Sequence, residues 1–228
     1  MKAIQRSLCA ALLSFGVAGA ALAEDFVVTE GPLSDEAFYR LVACRAAPGK
    51  GCSERMVRWP ASAAAELGIG LASIDDSYPP DLAQRMDQAI DRVIDTLNGA
   101  GAGLRLVRAV RTTQADISVH LVGAVQGGLI QGTGNIEMDG VEIGAALVHI
   151  RWNLAGNIIR GTIAVASDVP PDEAYPVLLE EITQSLGLMT DIRNPYYEDI
   201  SVFSEDSNGV MSLSAQDLFA IRRHYPPP

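Results

Sequence analysis

The pattern of apolar and polar positions predicts a sheet combined with several helices. Apolar residues recur every three or four positions from Leu82 to Leu97, which predicts an amphipathic helix that the Pro-Pro-Asp of residues 79–81 opens and Asn98-Gly99 stops. Residues 116–122 alternate between apolar and polar side chains, as a half-buried strand does. Three further candidate strands are residues 104–110, 146–152 and 161–166. The intervening residues 153–156 can turn the last two into a hairpin.

Three more helices are predicted outside the strand-rich middle. Ser34 can cap a helix that runs to Cys44, and the Pro-Pro-Asp of residues 170–172 opens another. Ser214 with Asp217 three residues later can cap a final helix. The order of elements, a helix, several strands and then two helices separated by a loop, predicts the α/β (α+β) class.

The first residues have the features of an export signal. Lys2 and Arg6 precede an apolar run that ends in Ala-Leu-Ala, which fits the A-x-A cleavage pattern. We therefore divide the chain into a signal peptide at residues 1–23, an N-terminal extension at 24–58 and a main domain at 59–228. We expect a periplasmic or secreted protein with no integral membrane segment after cleavage.

Two cysteines remain in the exported part of the chain. Cys44 and Cys52 flank a short segment that contains proline and glycine, and in an exported protein this arrangement predicts a disulfide. The spacing excludes a C-x-x-C redox motif, and two cysteines without a nearby histidine are too few ligands for a structural metal site.

The charge of the chain excludes some classes of partner. The net charge is −11 and becomes more negative when the two basic residues of the signal are removed. A protein this acidic is not expected to bind nucleic acid by general electrostatic attraction, and anionic lipid surfaces repel it.

The helix opened by residues 170–172 carries the most informative motif. Residues 179–188 read Leu-Glu-Glu-Ile-Thr-Gln-Ser-Leu-Gly-Leu. In the zinc-protease signature H-E-x-x-H, two histidines one helical turn apart hold the metal and the glutamate acts as general base. Here Glu180 takes the first histidine position, Glu181 the base position and Gln184 the second histidine position. Polar residues at these positions also occur on the outer face of any amphipathic helix.

The motif and its surroundings resemble the metzincins, whose pattern is H-E-x-x-H-x-x-G-x-x-H/D. Residues 201–203, Ser-Val-Phe, are similar to the Ser-Ile-Met turn of that family, with phenylalanine in place of methionine. Residues 212–217 resemble the start of the closing helix of matrixin-type proteins. This resemblance implies a zincin-like fold: a mixed, twisted sheet with a backing helix, the motif helix beneath the sheet and a C-terminal helix.

The chain also resembles an exported bacterial family catalogued only as a domain of unknown function. The resemblance covers nearly all of the exported part. It rests on the Phe-Tyr-Arg-Leu-Val-Ala-Cys of residues 38–44, on Cys52, on the Arg58-Trp59 pair and on the Glu-Glu-x-x-Gln-x-Leu-Gly-Leu helix. It implies no established activity.

Departures from the zinc pattern argue against a zinc site. Glu180 could ligate a metal through oxygen, but Gln184 is a neutral amide, and the third ligand position falls on Thr190, followed by Asp191. Two carboxylates with two weak oxygens suit calcium or magnesium better than zinc. We expect no cofactor, with zinc or calcium as alternatives. The other weak metal candidates are His120 and His149, which lie in two different predicted strands.

Three functions are open at this point. The first is a non-catalytic envelope protein that binds a peptide or protein in a cleft lined by Glu180, Gln184, Thr190 and Asp191. The second is a metal-dependent peptidase or hydrolase with an altered ligand set, in which Glu181 is the catalytic residue. The third is a structural envelope domain without a ligand.

Overall fold

A five-stranded mixed sheet forms the centre of the protein. The computed structural model describes residues 26–109 and 115–227. The predicted signal peptide therefore lies outside the described residues. In chain order the elements are β1 (Phe26–Val28), α1 (Asp35–Cys44), α2 (Ala61–Ala64), β2 (Leu67–Ile74), α3 (Pro80–Asn98), β3 (Leu106–Arg108), β4 (Ile117–Leu121), β5 (Ala146–Trp152), β6 (Ile158–Val165), α4 (Ala174–Gln184), β7 (Asp191–Arg193) and α5 (Ala215–His224).

The strand order of the main sheet is β3-β2-β4-β6-β5. The first four of these strands run parallel, and β5 runs antiparallel to β6 at one edge. The predicted hairpin between β5 and β6 is present, with Gly156 N–H donating to the Asn153 carbonyl at 2.9 Å. The predicted α/β class with a mixed sheet is confirmed.

One face of the sheet is apolar and is covered by two helices. Ile69, Ile117, Val119 and Ile163 are fully buried on this face, as is the apolar stripe of α4. That stripe consists of Leu178, Leu179, Ile182 and Leu186. Helix α3 packs against α4, so that the two helices share this core. The cost of ordering the sheet is offset mainly by this apolar burial.

Strand β2, which lies inside the sheet between β3 and β4, is not among the predicted strands. It contains Gly68, Gly70 and Ala72, which give a weak strand pattern. A small residue is required at one of these positions: a Cβ on Gly70 would lie 3.3 Å from the Cβ atoms of both Ala109 and Ala115. Tight packing between neighbouring segments therefore accounts for the small residues of β2, and these residues make the strand difficult to recognise in the sequence.

The N-terminal segment packs into the same core as the sheet. Strand β1 pairs in parallel with β7, and α1 packs against α5. The ring of Phe38 lies 5.3 Å from that of Tyr197 and 5.9 Å from that of Phe203. The Cys44–Cys52 disulfide follows α1 directly, with 5.1 Å between the Cα atoms. Its presence is compatible with an exported protein.

The predicted helix caps are present at both ends of the described chain. Ser34 Oγ accepts from Ala37 N–H at 3.3 Å, and Ser214 and Asp217 form a reciprocal capping box at the start of α5. Asp217 is fully buried and also accepts from the hydroxyl of Ser201 at 2.6 Å. None of the helices in the described part of the chain combines the length and apolar character that a membrane span requires.

The end of α4 is held by contacts that require a glycine. Gly187 has a φ of +99°, and a Cβ there would lie 2.1 Å from the carbonyl oxygen of Val57. The Trp59 indole donates to the Ser185 carbonyl at 3.0 Å, and the Tyr225 hydroxyl donates to the Leu186 carbonyl at 2.6 Å. These bonds satisfy carbonyls that the helix end leaves without a partner and fix the direction of the chain towards β7.

Candidate functional site

A cleft of about 720 Å³ separates α4 from the edge strand β5. One wall comes from α4 and the segment that follows it, and the other comes from β5 and the loop before it. The polar lining consists of Arg45, Glu54, Glu137, His149, Glu180, Glu181, Gln184, Thr190, Asp191 and Glu205. The apolar lining consists of Phe26, Met138, Val141, Gly144, Ala146, Leu147, Val148 and Met189.

The cleft brings together the predicted binding residues. Glu180, Gln184, Thr190 and Asp191 all line it, and Glu181, the predicted catalytic residue of the hydrolase alternative, lies beside them. Helix α4 supplies three of these residues on its non-apolar side. The turn at Gly187 then returns the chain so that Thr190 and Asp191 face the same space.

Gln184 links the two outer carboxylates of this group. Its amide Nε2 donates to Asp191 Oδ1 at 2.8 Å and lies 3.5 Å from Glu180 Oε1. The amide NH₂ group is the correct one to face two carboxylates, because a carbonyl oxygen there would be repelled. Gln184 thus acts as a neutral clamp between α4 and β7 at the position where the zinc signature has a histidine.

Burial raises the pKa values of the two carboxyls on α4. Burial, followed by the neighbouring charges of Asp191, Glu181 and Glu205, raises the pKa of Glu180 well above its usual value. Burial, followed by the charge of Asp191, raises the pKa of Glu181 to about 8. Burial therefore favours the protonated form of Glu181 near neutral pH. Its side chain is 8 % exposed, and its Oε2 atom is buried without a hydrogen-bond partner in the described structure.

The donor set of the cleft does not fit a zinc ion. In the described residues, no group of three or more His, Cys, Asp or Glu side chains is arranged to hold a metal. The clamp explains this, because the NH₂ group of Gln184 occupies the space between the Glu180 and Asp191 carboxylates and is a donor rather than a ligand.

A second, mainly apolar cavity of about 420 Å³ continues the cleft along β5. The two cavities share Glu54, Val148, His149, Met189 and Thr190. The continuation is also lined by Ala43, Arg55, Val57, Ile150, Trp152 and Gly187. Together the cavities form one groove, with an acidic part beside α4 and an apolar part beside Trp152. We call this feature the β5 groove.

The backbone of β5 faces the groove with unused hydrogen-bonding groups. The register pairs Leu147 with Ala164 and His149 with Thr162, and Ala166 N–H donates to the Ala145 carbonyl at 2.9 Å. Hydrogen-bonded pairs alternate in an antiparallel ladder, so the N–H and C=O groups of residues 146, 148 and 150 point away from β6. No described residue bonds to them.

The two histidines that were weak metal candidates lie on β4 and β5, which are not neighbouring strands. His149 lies in the cleft wall, with Nδ1 3.1 Å from the Asn135 amide nitrogen and Nε2 3.3 Å from a Glu137 oxygen. His120 is level with Ala164 on β6 and with Leu147 on β5, so two strand spacings, about 10 Å, separate it from β5. A site built from His120, His149 and Glu180 is therefore not formed.

His120 faces a separate polar cavity of about 440 Å³ on the face of the sheet away from α4. The side chain of His149 lies on that same face, because His149 pairs with Thr162, which also lines this cavity. Its Nδ1 lies 2.8 Å from the hydroxyl of Ser73, and burial lowers its pKa. This cavity is also lined by Arg151 and Arg160, which lie opposite each other across the hairpin. No sequence motif predicts this cavity, because the register between paired strands decides which residues line it.

A match to a family model shows to which protein family this chain is related. A family model matches residues 43–228, which include the disulfide, the five-stranded sheet, the motif helix and α5. The chain belongs to the family described as "Protein of unknown function (DUF2927)". The predicted membership of a family of unknown function is thereby confirmed. No curated protein matches this DUF2927 member at a significant level.

Several residues of the DUF2927 site carry no signal in the sequence. Glu205, Met189 and Val148 line the groove without belonging to a motif. Only the position of β5 at the edge of the sheet could have indicated Val148, and that position depends on the strand order.

Proposed function

We propose that this DUF2927 protein is a zincin-like envelope protein that binds an extended peptide segment of another protein in the β5 groove. The segment adds to the sheet as a sixth strand beside β5. The observation that carries the proposal is the open edge of β5, whose outward backbone groups lie along a continuous groove. An extended peptide satisfies such groups by pairing with them, while pockets beside the strand select its side chains.

The dimensions of the groove suit a short extended segment. Strand β5 has seven residues, which corresponds to about 20 Å at the usual rise along a strand. A partner of five to seven residues pairs with this length. Its alternate side chains would face the apolar cavity near Trp152 and the acidic cleft near Glu180.

The open edge of β5 is itself a reason to expect a bound partner. An exposed edge with unpaired N–H and C=O groups invites association, and proteins usually protect it with charges, bulges or covering loops. Here Val148, Ile150 and Trp152 present apolar side chains towards the groove. Trp152 is 49 % exposed, which is consistent with a surface that a partner covers.

The proposal places the protein in the periplasm or outside the cell. The disulfide is compatible with that location, and the sequence pattern of residues 1–23 supports it. The proposed partner is therefore a peptide or a flexible segment of an envelope or secreted protein. Because the protein is acidic, nucleic acid is not proposed as a partner.

A metal-dependent hydrolase is the second candidate, and one observation favours it. Glu181 lies in the base position of the motif with a pKa of about 8, close to the value that suits acid–base chemistry at neutral pH. The donor set around Gln184 stands against it, so we derive no reaction through a metal.

Peptide binding is tested by selection followed by titration. Random heptapeptides displayed on phage are selected on the purified protein, and an enriched peptide is titrated calorimetrically. Val148→Pro removes one outward N–H, a change that an edge strand tolerates. We expect it to weaken binding at least about tenfold, whereas Val148→Thr keeps the N–H and stays within about threefold. Absence of any enriched peptide, or equal affinity for both variants, would overturn the proposal.

A further inference from the structure

The acidic residues of the β5 groove differ in the side chains that contact them. Glu54 pairs with Arg45 at 3.4 Å, and Glu137 contacts His149 at 3.3 Å. Glu205, at the side of the cleft, pairs with Arg193 at 3.2 Å. The two carboxyls on α4, those of Glu180 and Glu181, have a different environment.

Glu180 and Glu181 have no Lys or Arg partner among the described residues. Among the described residues, the side chain of Glu180 has one long contact, from the Gln184 amide at 3.5 Å, and Oε2 of Glu181 has no hydrogen-bond partner. A buried carboxyl oxygen without a partner carries an appreciable desolvation cost, of about 1–3 kcal/mol or more for charged groups. Evolution tolerates such groups mainly where another molecule supplies the missing partner or where they have a chemical role.

The space in front of these carboxyls is too large for an ion alone. The cleft measures about 720 Å³ and has apolar walls made by Met138, Val141, Leu147 and Met189. A long side chain with an apolar stem and a cationic head matches such a lining, because its methylene groups can cover apolar surface while its head meets the acids. The clamp formed by Gln184 also blocks the position where a metal would bridge Glu180 and Asp191.

We infer that the acidic end of the β5 groove is a specificity subsite for a Lys or Arg side chain of the bound peptide, with Glu181 and Glu180 as its carboxylate partners. This inference rests on the proposed peptide-binding function and names the residue class that the groove selects. A cationic head supplies the partner that Glu181 Oε2 lacks. The neighbouring apolar cavity near Trp152 takes a second, apolar side chain of the same peptide.

Binding of a basic residue is coupled to proton release. The pKa of Glu181 is raised to about 8 in the empty cleft, and a cation beside the carboxyl favours its ionised form. The affinity for a Lys peptide therefore rises between about pH 6 and pH 9, and protons leave the protein on binding. The other charged or titratable groups that line the same cleft are Glu180, Asp191, Glu205, Glu137, His149, Arg45 and Glu54.

The test compares two peptides that differ in one charge. A groove-binding peptide with a single Lys is synthesised together with its norleucine twin, which keeps the length of the side chain and lacks the ammonium group. Both are titrated into the wild type, Glu181→Gln and Glu66→Gln. Glu66 is an exposed glutamate that pairs with Arg105 away from the groove, so it controls for the change in net charge.

We expect the wild type and Glu66→Gln to prefer the Lys peptide by at least about tenfold at pH 8. In Glu181→Gln the preference falls to within about threefold, and its affinity for the Lys peptide no longer rises with pH. Titration in buffers of different ionisation enthalpy measures the released protons directly. Glu180→Gln serves as a second variant if Glu181→Gln fails to fold.

The outcomes separate this inference from the proposed function. If both peptides bind with equal affinity to the wild type, the basic-residue subsite is wrong while peptide binding stands. If neither this pair nor any selected peptide binds, the proposed function fails and the inference fails with it. If the Lys preference survives unchanged in both Glu181→Gln and Glu180→Gln, the subsite lies elsewhere.

Discussion

Gln184 donates a hydrogen bond from its amide nitrogen to Oδ1 of Asp191 at 2.8 Å, which ties α4 to β7 across the floor of the groove. The same nitrogen lies 3.5 Å from Glu180. A neutral donor between two acids lowers their mutual repulsion without adding charge. This one contact explains how a cluster of carboxyl groups can persist in a partly buried place.

Replacing the clamp by an acid should destabilise the protein in a pH-dependent manner. Gln184→Glu removes both donated contacts and adds a carboxyl group beside Asp191 and Glu180. We expect a loss of about 1–3 kcal/mol in the free energy of unfolding at pH 8 and a smaller loss at pH 5, where the new group is protonated. Urea unfolding measures both values. Gln88→Glu, the same change on an exposed position of α3, should stay within about 0.5 kcal/mol, and equal effects at both positions would refute the clamp.

Glu181 makes a defined contribution to the pH dependence of stability. Its pKa in the folded protein, about 8, lies above the ordinary value of 4.5, so the folded state binds more protons than the unfolded state between these values. Stability contributed by the protonated form is therefore present at low pH and is lost as the pH rises towards 8. Glu181→Gln, which cannot ionise, should raise the melting temperature relative to the wild type by at least about 2–4 °C at pH 8.5.

The comparison between the two proteins is made at each pH, because an acidic chain loses stability at high pH for other reasons as well. At pH 5 we expect the two melting temperatures to lie close together. Parallel curves, with a constant difference from pH 5 to pH 9, would mean that the Glu181 carboxyl titrates normally.

The motif helix was predictable because its signal is local, whereas the groove depends on strand order. The spacing of Glu180, Glu181 and Gln184 fixes their common side of a helix, and the glycine at position 187 marks its end. The position of Val148 beside them depends on β5 joining the edge of the sheet after β6. The pairing of His149 with Thr162, and the resulting distance to His120, likewise depends on register between residues distant in sequence.

The glycine of the motif is required by its surroundings. Gly187→Ala places a Cβ 2.1 Å from the Val57 carbonyl oxygen at a φ of +99°. We expect a loss of about 2–4 kcal/mol in the free energy of unfolding, because backbone strain and a steric clash add together. Gly51→Ala, where a Cβ would meet nothing within 4 Å, is the control and should change stability little. A wild-type unfolding curve for Gly187→Ala would contradict the described geometry.

The disulfide should contribute measurably to stability. It closes a loop between Cys44 and Cys52, eight positions apart, for which chain entropy gives about 2–3 kcal/mol. The variant with both cysteines changed to alanine should lose this amount in urea unfolding, and a reducing agent should lower the stability of the wild type alone. Two free thiols in the non-reduced, denatured mature protein would show that the bridge does not form.

Metal analysis separates the proposed binding protein from the hydrolase alternative. Protein loaded with excess zinc or calcium and then dialysed should retain much less than one ion per chain, because the Gln184 amide occupies the space between the carboxylates. Mass spectrometry of the eluted metal measures the content, with Glu180→Ala as the comparison. A stoichiometric ion in the wild type that is lost in Glu180→Ala would favour the hydrolase.

The central claim is that a peptide pairs with the open edge of β5. Amide hydrogen exchange followed by NMR tests it at single residues, with and without a peptide selected on the protein. Pairing predicts that the amides of Ala146 and Val148 exchange at least about tenfold more slowly when the peptide is bound, since both point into the groove. The amide of Ser73, on a strand away from the groove, should not change. A bound peptide that leaves the exchange of Ala146 and Val148 unaltered would contradict the account.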